Sequence, residues 1–168
     1  NEGCSKCPRK KEYPASILID NSKMEYRKKK KLFSGIRNLT IVTPSEWLKK
    51  LTKQSFLREY DVEVINNGID LDVFKPTNTI DIKEKLSIPK KKKIILGVAA
   101  IWDRRKGLED FIELSKAIDE TYIIILVGLN KKQIKNLPSN IIGIQRTENI
   151  EELACLYTVA DVLFNPSK

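Results

Sequence analysis

Histidine is absent from this 168-residue chain, and cysteine occurs only three times. A low and odd number of cysteines argues against a disulfide framework and is typical of the reducing cytosol. Cys4 and Cys7 have the spacing of half a zinc site, but no second cysteine pair and no histidine is present to complete four ligands. The two thiols either join cysteines from a missing N-terminal stretch in a zinc site or form a fortuitous pair in a loop.

Long hydrophobic runs are missing as well. The longest, residues 123–127, is far too short to span a bilayer, and no signal-peptide pattern opens the chain. Apolar residues nevertheless make up 41% of the sequence, which is enough to form a packed core. We expect a soluble protein, or a soluble part of one, that works in the cytoplasm.

Two phosphate-binding motifs are absent. Neither a Walker sequence nor the G-x-G-x-x-G of dinucleotide sites occurs, which disfavours a P-loop ATPase and a dehydrogenase. A net charge of +9 still attracts anionic partners such as nucleic acid, acidic lipid or phosphorylated small molecules. Few aromatic residues accompany the lysine runs 28–31 and 90–93, whereas proteins that stack nucleic-acid bases need them. We interpret the runs as solvated faces and predict no specific nucleic-acid partner.

The chain divides into two dissimilar parts. Residues 1 to about 37 are basic with little periodicity, and no regular element is predicted there. After a strand at residues 38–42, a capping-box pattern predicts a helix with Thr43 as its N-cap, Pro44 at its first position and Glu46 in its first turn. Further predicted elements are a strand at 62–65, a weak short helix at 80–86 and a linker around Pro89.

From residue 93 onward, strands and helices alternate regularly. The predicted strands are 94–98, 122–127, 141–144 and 162–164, and the predicted helices are 108–118, 131–137 and 150–157. Apolar strands that alternate with helices pair in parallel through right-handed crossovers. Residues 93–168 are therefore predicted to form a doubly wound sheet. Its fourth strand lies so near the end of the chain that we expect a fragment of a longer protein.

The loop after the first of these strands carries three cations, Arg104, Arg105 and Lys106, before Gly107 opens a helix. An open α/β sheet binds its ligand where the carboxyl end of a strand meets a helix N-terminus, which offers backbone N–H groups to an anion. The other loops at this edge carry Gly128 to Asn130, Arg146-Thr147 and Asn165 to Ser167. This combination predicts a nucleotide cleft for a ligand that carries phosphate.

Short motifs follow one another along nearly the whole chain. The C-terminal part carries Lys106-Gly107-Leu108, Leu126-Val127-Gly128, Glu152-Leu153-Ala154 with Tyr157, Ala160-Asp161-Val162 and Asn165-Pro166-Ser167. The N-terminal part carries Val42 to Leu48, Val64 to Asp70 and Phe74-Lys75-Pro76. Together they resemble the GT-B glycosyltransferases, and most closely the retaining family 4 enzymes of bacterial surface-polysaccharide assembly. Gly3-Cys4, Cys7-Pro8 and Tyr13-Pro14 are similar to a subgroup of colanic-acid and capsule transferases.

The resemblance implies an α/β protein with Rossmann-like parallel sheets in two domains, both incomplete here. Residues 1–90 would hold the C-terminal part of the acceptor-binding domain and a linker, and residues 91–168 the N-terminal part of the sugar-nucleotide-binding domain. The implied activity is metal-independent, uses no cofactor, and transfers a sugar from a nucleoside-diphosphate sugar to a polysaccharide or lipid-linked acceptor. We also expect the lysine runs to allow peripheral contact with the inner membrane leaflet, and the isolated chain to be inactive.

The resemblance further implies roles for individual residues. Lys106, assisted by Arg105 or Arg104, would contact the diphosphate of the donor. The remaining implied residues are Arg104, Gly128, Thr147, Asn165 and Ser167 around the donor, and Asn67 and Gly68 in a cleft loop that is equally well explained as a plain turn. Two features depart from the family: Ala99-Ala100 replaces its Gly-Arg pair, and its Glu-rich motif would begin only after Ser167.

Two other functions remain open. A sugar-nucleotide epimerase or phosphorylase-like relative would keep the fold and change the chemistry. A non-enzymatic basic module would bind nucleic acid or acidic membrane through its positive charge. Within the cation loop, Trp102 is expected to be a packing residue that shapes the loop, with stacking on a ligand as the alternative.

Overall fold

A computed structural model describes residues 20–78 and 80–167, which form two compact units that divide between Gly68 and Ile69. No helix within these residues is long and apolar enough to cross a membrane. Cys4 and Cys7 lie outside the described residues, as does the motif around Tyr13.

The first unit contains two short parallel strands and two helices. In chain order they are α1 (Ser22–Phe33), β1 (Thr40–Thr43), α2 (Glu46–Lys53) and β2 (Asp61–Val64). Pairing of β1 with β2 runs from Thr40 opposite Asp61 to Thr43 opposite Val64. Both strands and α2 confirm the predicted elements, with bounds shifted by a residue or two.

The helix α1 contradicts the prediction that residues 1 to about 37 hold no regular element. Lysine and arginine favour helix, but the few apolar residues of α1 form no stripe along one face, and none of its residues is buried. The sequence pattern therefore does not indicate this helix. Its visible anchor is Tyr26, whose ring packs edge-on against Phe56 with 5.4 Å between the ring centroids. That contact joins residues far apart in sequence, so no local pattern indicates it.

The N-cap of α2 is Ser45, and the prediction of Thr43 is wrong. The Ser45 hydroxyl oxygen accepts a hydrogen bond from the Leu48 backbone N–H at 3.2 Å. Thr43 instead ends β1 and is only 3% exposed, and its hydroxyl donates to the Glu63 carbonyl oxygen at 3.3 Å. Because Thr43 is held in the strand pair, the helix begins after Ser45.

The second unit is a doubly wound α/β sheet, as predicted. Its elements are α3 (Ile80–Lys85), β3 (Lys93–Val98), a 3-10 turn (Arg104–Lys106), α4 (Leu108–Ala117), β4 (Tyr122–Val127), α5 (Lys131–Lys135), β5 (Ile141–Ile144), α6 (Ile150–Val159) and β6 (Val162–Leu163). The strand order is β5-β4-β3-β6, and every neighbouring pair is parallel.

Alternate residues of the central strands face two separate hydrophobic cores. Ile94 and Leu96 of β3 pack on one face with Leu156 of α6, whereas Ile95 packs on the other face with Phe111 of α4. This alternation is the period-two pattern of a strand that is covered on both sides. Because helices cover both faces, the sheet is open to a ligand at the ends of its strands.

The segment before β3 packs on the second unit and contains α3, which confirms the weak short helix predicted at residues 80–86. Ile82 and Ile88 are buried in the core that contains Leu156. The Lys85 ammonium also bridges two carboxylates, at 2.6 Å from Glu148 and 2.8 Å from Glu152. The compact units divide after Gly68. The predicted boundary at residue 90 between an acceptor-binding and a sugar-nucleotide-binding domain stays a prediction.

Candidate functional site

The loops that follow the parallel strands meet at one edge of the second sheet. Because β4 and β5 are added on one side of β3 and β6 on the other, the strand order switches at β3. Open α/β sheets bind ligands at the carboxyl ends of their strands at this switch point. Contact across the switch point is close, since a methyl group added to Gly107 would lie 2.6 Å from Pro166 Cγ.

A tight turn at this edge presents the predicted cations. The Asp103 carboxylate starts the turn by accepting hydrogen bonds from the backbone N–H groups of Arg105, at 2.9 Å, and Lys106, at 3.1 Å. Gly107 ends it in the left-handed conformation, with φ at 73°, and leads into α4. The N-terminus of α4 has no side-chain cap, so its dipole points at the loop region without a capping oxygen.

The three cations of the turn are in different environments. Arg105 forms a salt bridge with Asp103 at 2.8 Å, and the hydrogen bond from its guanidinium holds the pKa of the Asp103 carboxyl below its ordinary value of 3.8. Arg104 and Lys106 are exposed, and no acidic side chain among residues 20–78 and 80–167 forms an ion pair with either. One predicted cation is thus already paired, and two are available to an anionic ligand.

Trp102 holds the loop in place through buried contacts, which confirms the expectation that it is a packing residue. Its side chain is 6% exposed, and its indole N–H donates to the Val127 carbonyl oxygen of β4 at 2.8 Å. Edge-to-face contacts join the rings of Trp102 and Phe111, with centroids 5.3 Å apart, and of Phe111 and Phe164, at 5.0 Å. This aromatic row connects the loop to α4 and to the end of β6.

No family model matches the chain. The chain is 31% identical over 118 residues to a processive diacylglycerol alpha-glucosyltransferase of Acholeplasma laidlawii; the match covers 64% of this chain and 35% of that enzyme. The chain thus spans about a third of the length of that curated relative.

Solved structures share the fold over most of the chain. Sucrose-phosphate synthase of Thermosynechococcus elongatus superposes with a TM-score of 0.67 and 20% identity over 90% of this chain and 41% of its own. A glycosyltransferase of Rickettsia africae gives 0.67 and 22% over 90% of this chain and 43% of its own. Anabaena HepE, solved with UDP-glucose, gives 0.61 and 15% over 86% and 42%. The chain has the GT-B glycosyltransferase fold.

This GT-B sheet shows why glycine follows β4. Gly128 has φ at 99°, and a methyl group at its Cα would lie 1.6 Å from the Ala99 carbonyl oxygen at the end of β3. Packing against Ala99 therefore explains why residue 128 is glycine. Its place around the donor stays a prediction. Ala99 and Ala100 stand where the resemblance implies a Gly-Arg pair, so the nearest cations along the chain are those of the turn that follows them.

The other residues predicted around the donor lie on two further loops of the same edge. Asn165 and Ser167 follow β6, are both exposed, and bond to each other at 2.7 Å between Ser167 Oγ and Asn165 Oδ1. Thr147 is half-buried in the loop after β5. That loop is fastened to α6, because the Glu152 carboxylate accepts a hydrogen bond from the Glu148 backbone N–H at 2.6 Å.

Asn67 and Gly68 belong to the first unit, in the exposed loop after β2. A methyl group at Gly68 would have no atom within 4 Å. Their predicted role in a cleft loop stays a prediction. Within the part of the chain that the structure describes, no three acidic or thiol side chains cluster as metal ligands.

The sequence patterns do not indicate two residues of the site. These are Asp103, which builds the cation turn, and Gln133 of α5. Gln133 donates through its side-chain amide to the Trp102 carbonyl oxygen at 2.9 Å. Asn130 and Gln133 also form a capping box at the start of α5. The spacing Asn-x-x-Gln is a recognisable helix-start signal, but the bond from Gln133 to Trp102 is visible only in three dimensions.

Proposed function

We propose that the full-length protein transfers a sugar from a nucleoside-diphosphate sugar to a polysaccharide or lipid-linked acceptor, with retention of configuration and without a metal ion. One observation carries the proposal. Lys106, exposed and without an acidic partner among the described residues, stands at the switch point of a GT-B sheet, directly before the uncapped N-terminus of α4.

The proposed chemistry needs stabilisation of a departing diphosphate. Cleavage of the bond between sugar and phosphate builds negative charge on the leaving group, so a cation beside it interacts more strongly in the transition state than in the ground state. A charge-assisted hydrogen bond from the Lys106 ammonium supplies this stabilisation, and the N-terminus of α4 adds a favourable dipole. Arg104 is the second available cation of the turn.

The relatives support a donor and an acceptor class. HepE has been solved with UDP-glucose, and the Acholeplasma relative is a diacylglycerol glucosyltransferase. We therefore propose a UDP-sugar as donor and a lipid-linked acceptor at the cytoplasmic face of a membrane.

The test is a transfer assay with full-length protein, radiolabelled UDP-glucose, UDP-galactose or GDP-mannose, and vesicles that contain diacylglycerol. We expect a labelled glycolipid, formed equally well in the presence of EDTA. The same reaction without acceptor is the control. Epimerised sugar without any acceptor product would favour the epimerase alternative, and absence of transfer from every donor would contradict the proposed lipid acceptor.

The helix α1 is the surface that we propose for membrane contact. Lys23, Arg27 and the run 28–31 are exposed along it, against a single acidic residue, Glu25. Leu32 and Phe33 are also exposed at its end. Basic side chains are attracted to the headgroups of an anionic bilayer, and apolar side chains beside them can insert into it. Each lysine near such a surface contributes about 1 kcal/mol to the free energy of membrane binding.

Charge reversal tests this surface in the full-length protein. Lys29→Glu with Lys30→Glu should weaken sedimentation with vesicles that contain phosphatidylglycerol by about tenfold or more. The matched control, Lys90→Glu with Lys91→Glu, removes the same charge from the other exposed lysine run and should bind nearly as the wild type. Equal losses in both variants would indicate attraction by net charge alone and contradict the assignment to α1.

A further inference from the structure

The cation loop is tied to the neighbouring strand and helix at one residue, Trp102. Its indole N–H donates to the Val127 carbonyl oxygen at the end of β4, and its own carbonyl oxygen accepts from the Gln133 side-chain amide at the start of α5. The two bonds hold the side chain and the main chain of the residue directly before Asp103. The orientation of the turn that presents Lys106 is thus set from the β4–α5 connection.

Gln133 makes this connection with both ends of its amide. The Nε2 group donates to the Trp102 carbonyl oxygen, while Oε1 accepts from the Asn130 backbone N–H at 2.9 Å. The capping box is completed by the Asn130 side chain, which accepts from the Gln133 backbone N–H at 2.9 Å. Gln133 is half-buried, so loss of its donor leaves the Trp102 carbonyl oxygen poorly compensated by water.

From this geometry we infer that Gln133 is a positioning residue for the donor diphosphate, acting through the main chain of Trp102 on the turn that carries Lys106. The inference rests on the proposed function. A charge-assisted contact depends steeply on the placement of its donor, and a displacement of about 1 Å at a reacting group is enough to cost a large part of the rate. Gln133 does not itself touch the diphosphate in this assignment.

Two substitutions separate positioning from the stability of α5. Gln133→Glu keeps an oxygen that accepts from the Asn130 N–H, but it cannot donate to the Trp102 carbonyl oxygen when ionised. Asn130→Ala removes the other half of the capping box and leaves the Gln133 amide in place. Gln133→Met, which removes both functions of the amide, serves as the second variant if Gln133→Glu folds poorly.

The measurement is calorimetric binding of UDP and of uridine to the full-length proteins, with melting temperatures recorded in parallel. Gln133→Glu should bind UDP about tenfold more weakly, because one hydrogen bond to the loop is replaced by a repulsive contact. Affinity for uridine, which lacks the diphosphate, should be unchanged. Asn130→Ala should lower the melting temperature and leave UDP affinity within about twofold of the wild type.

A double-mutant cycle with Lys106→Met decides whether Gln133 acts through Lys106. In the Lys106→Met background, Gln133→Glu should reduce UDP affinity by no more than about twofold, since the contact that it positions is already gone. Wild-type UDP affinity in Gln133→Glu, an equal loss for uridine, or additive effects in the cycle would overturn the inference alone. Unaltered UDP binding by Lys106→Met itself would refute the proposed diphosphate contact, and the inference with it.

Discussion

Replacement of Lys106 by alanine in the full-length protein is expected to lower kcat by roughly two to three orders of magnitude, the usual cost of removing one preorganised donor at a site of developing charge. The side chain is exposed at the switch point of the sheet and, among the described residues, has no acidic partner that would compete for it. Because the diphosphate gains charge as it leaves, the loss should appear mainly in kcat and less in KM for the donor. Initial rates over a range of UDP-sugar concentrations measure both.

Two further variants make this result specific. Lys106→Arg keeps the positive charge and should retain more activity than Lys106→Ala, although the different shape of the guanidinium prevents full recovery. Lys116→Ala removes an exposed lysine from the other end of the same helix, where it pairs with Glu113 at 2.9 Å. It should behave as the wild type. Activity of Lys106→Ala within a few-fold of the wild type would refute the assignment.

Gly128→Ala should destabilise the second unit by about 3 kcal/mol or more. The new methyl group would lie 1.6 Å from the Ala99 carbonyl oxygen, so the ends of β3 and β4 would have to separate. The φ of 99° at this position is also unfavourable for any residue with a side chain. Steric overlap and backbone strain act in the same direction, and neither can be relieved by a rotamer change.

Urea-induced unfolding of the 168-residue chain measures the effect, followed by tryptophan fluorescence in a Trp47→Phe background. Trp102 then reports on the second unit, where its indole nitrogen lies within 4 Å of the added methyl group. Gly68→Ala is the matched control, since no atom lies within 4 Å of the new methyl group there, and it should change the free energy of unfolding by about 0.5 kcal/mol or less. Equal stabilities of the two variants would show that the close approach of Ala99 and Gly128 does not occur in the protein.

The strands β3 to β6 and their helices were predictable because each carries its own signal. A strand such as β4 is a short apolar run bounded by turn residues, and apolar residues recur at helical spacing in the segments between the strands. The helix α1 has no such signal, since the anchor that holds it, Tyr26 against Phe56, depends on a residue from after α2. Local patterns cannot encode a contact with a distant partner.

The choice between neighbouring candidates also depends on tertiary packing. Thr43 and Ser45 are both good N-cap residues, and burial of Thr43 in the strand pair leaves the role to Ser45. In the same way, the polar stretch before β3 indicates only a weak helix and a linker around Pro89. Ile82 and Ile88, with Leu86 partly buried beside them, nevertheless hold this stretch on the core of the second unit.

The sequence by itself determined the parallel sheet of the second unit, the lack of histidine, of a second cysteine pair and of a bilayer-spanning run, and the presence of cations after the first strand of that sheet, because composition and periodicity are local properties. Only the tertiary structure decided how those cations differ. Asp103 occupies Arg105, whereas Arg104 and Lys106 have no acidic partner in the described part of the chain. Val127 of β4 and Gln133 of α5 hold the turn through their hydrogen bonds with Trp102. The partners of Trp102 are assigned by folding, since Val127 and Gln133 are far from it in the chain and meet it only when the sheet brings their segments together.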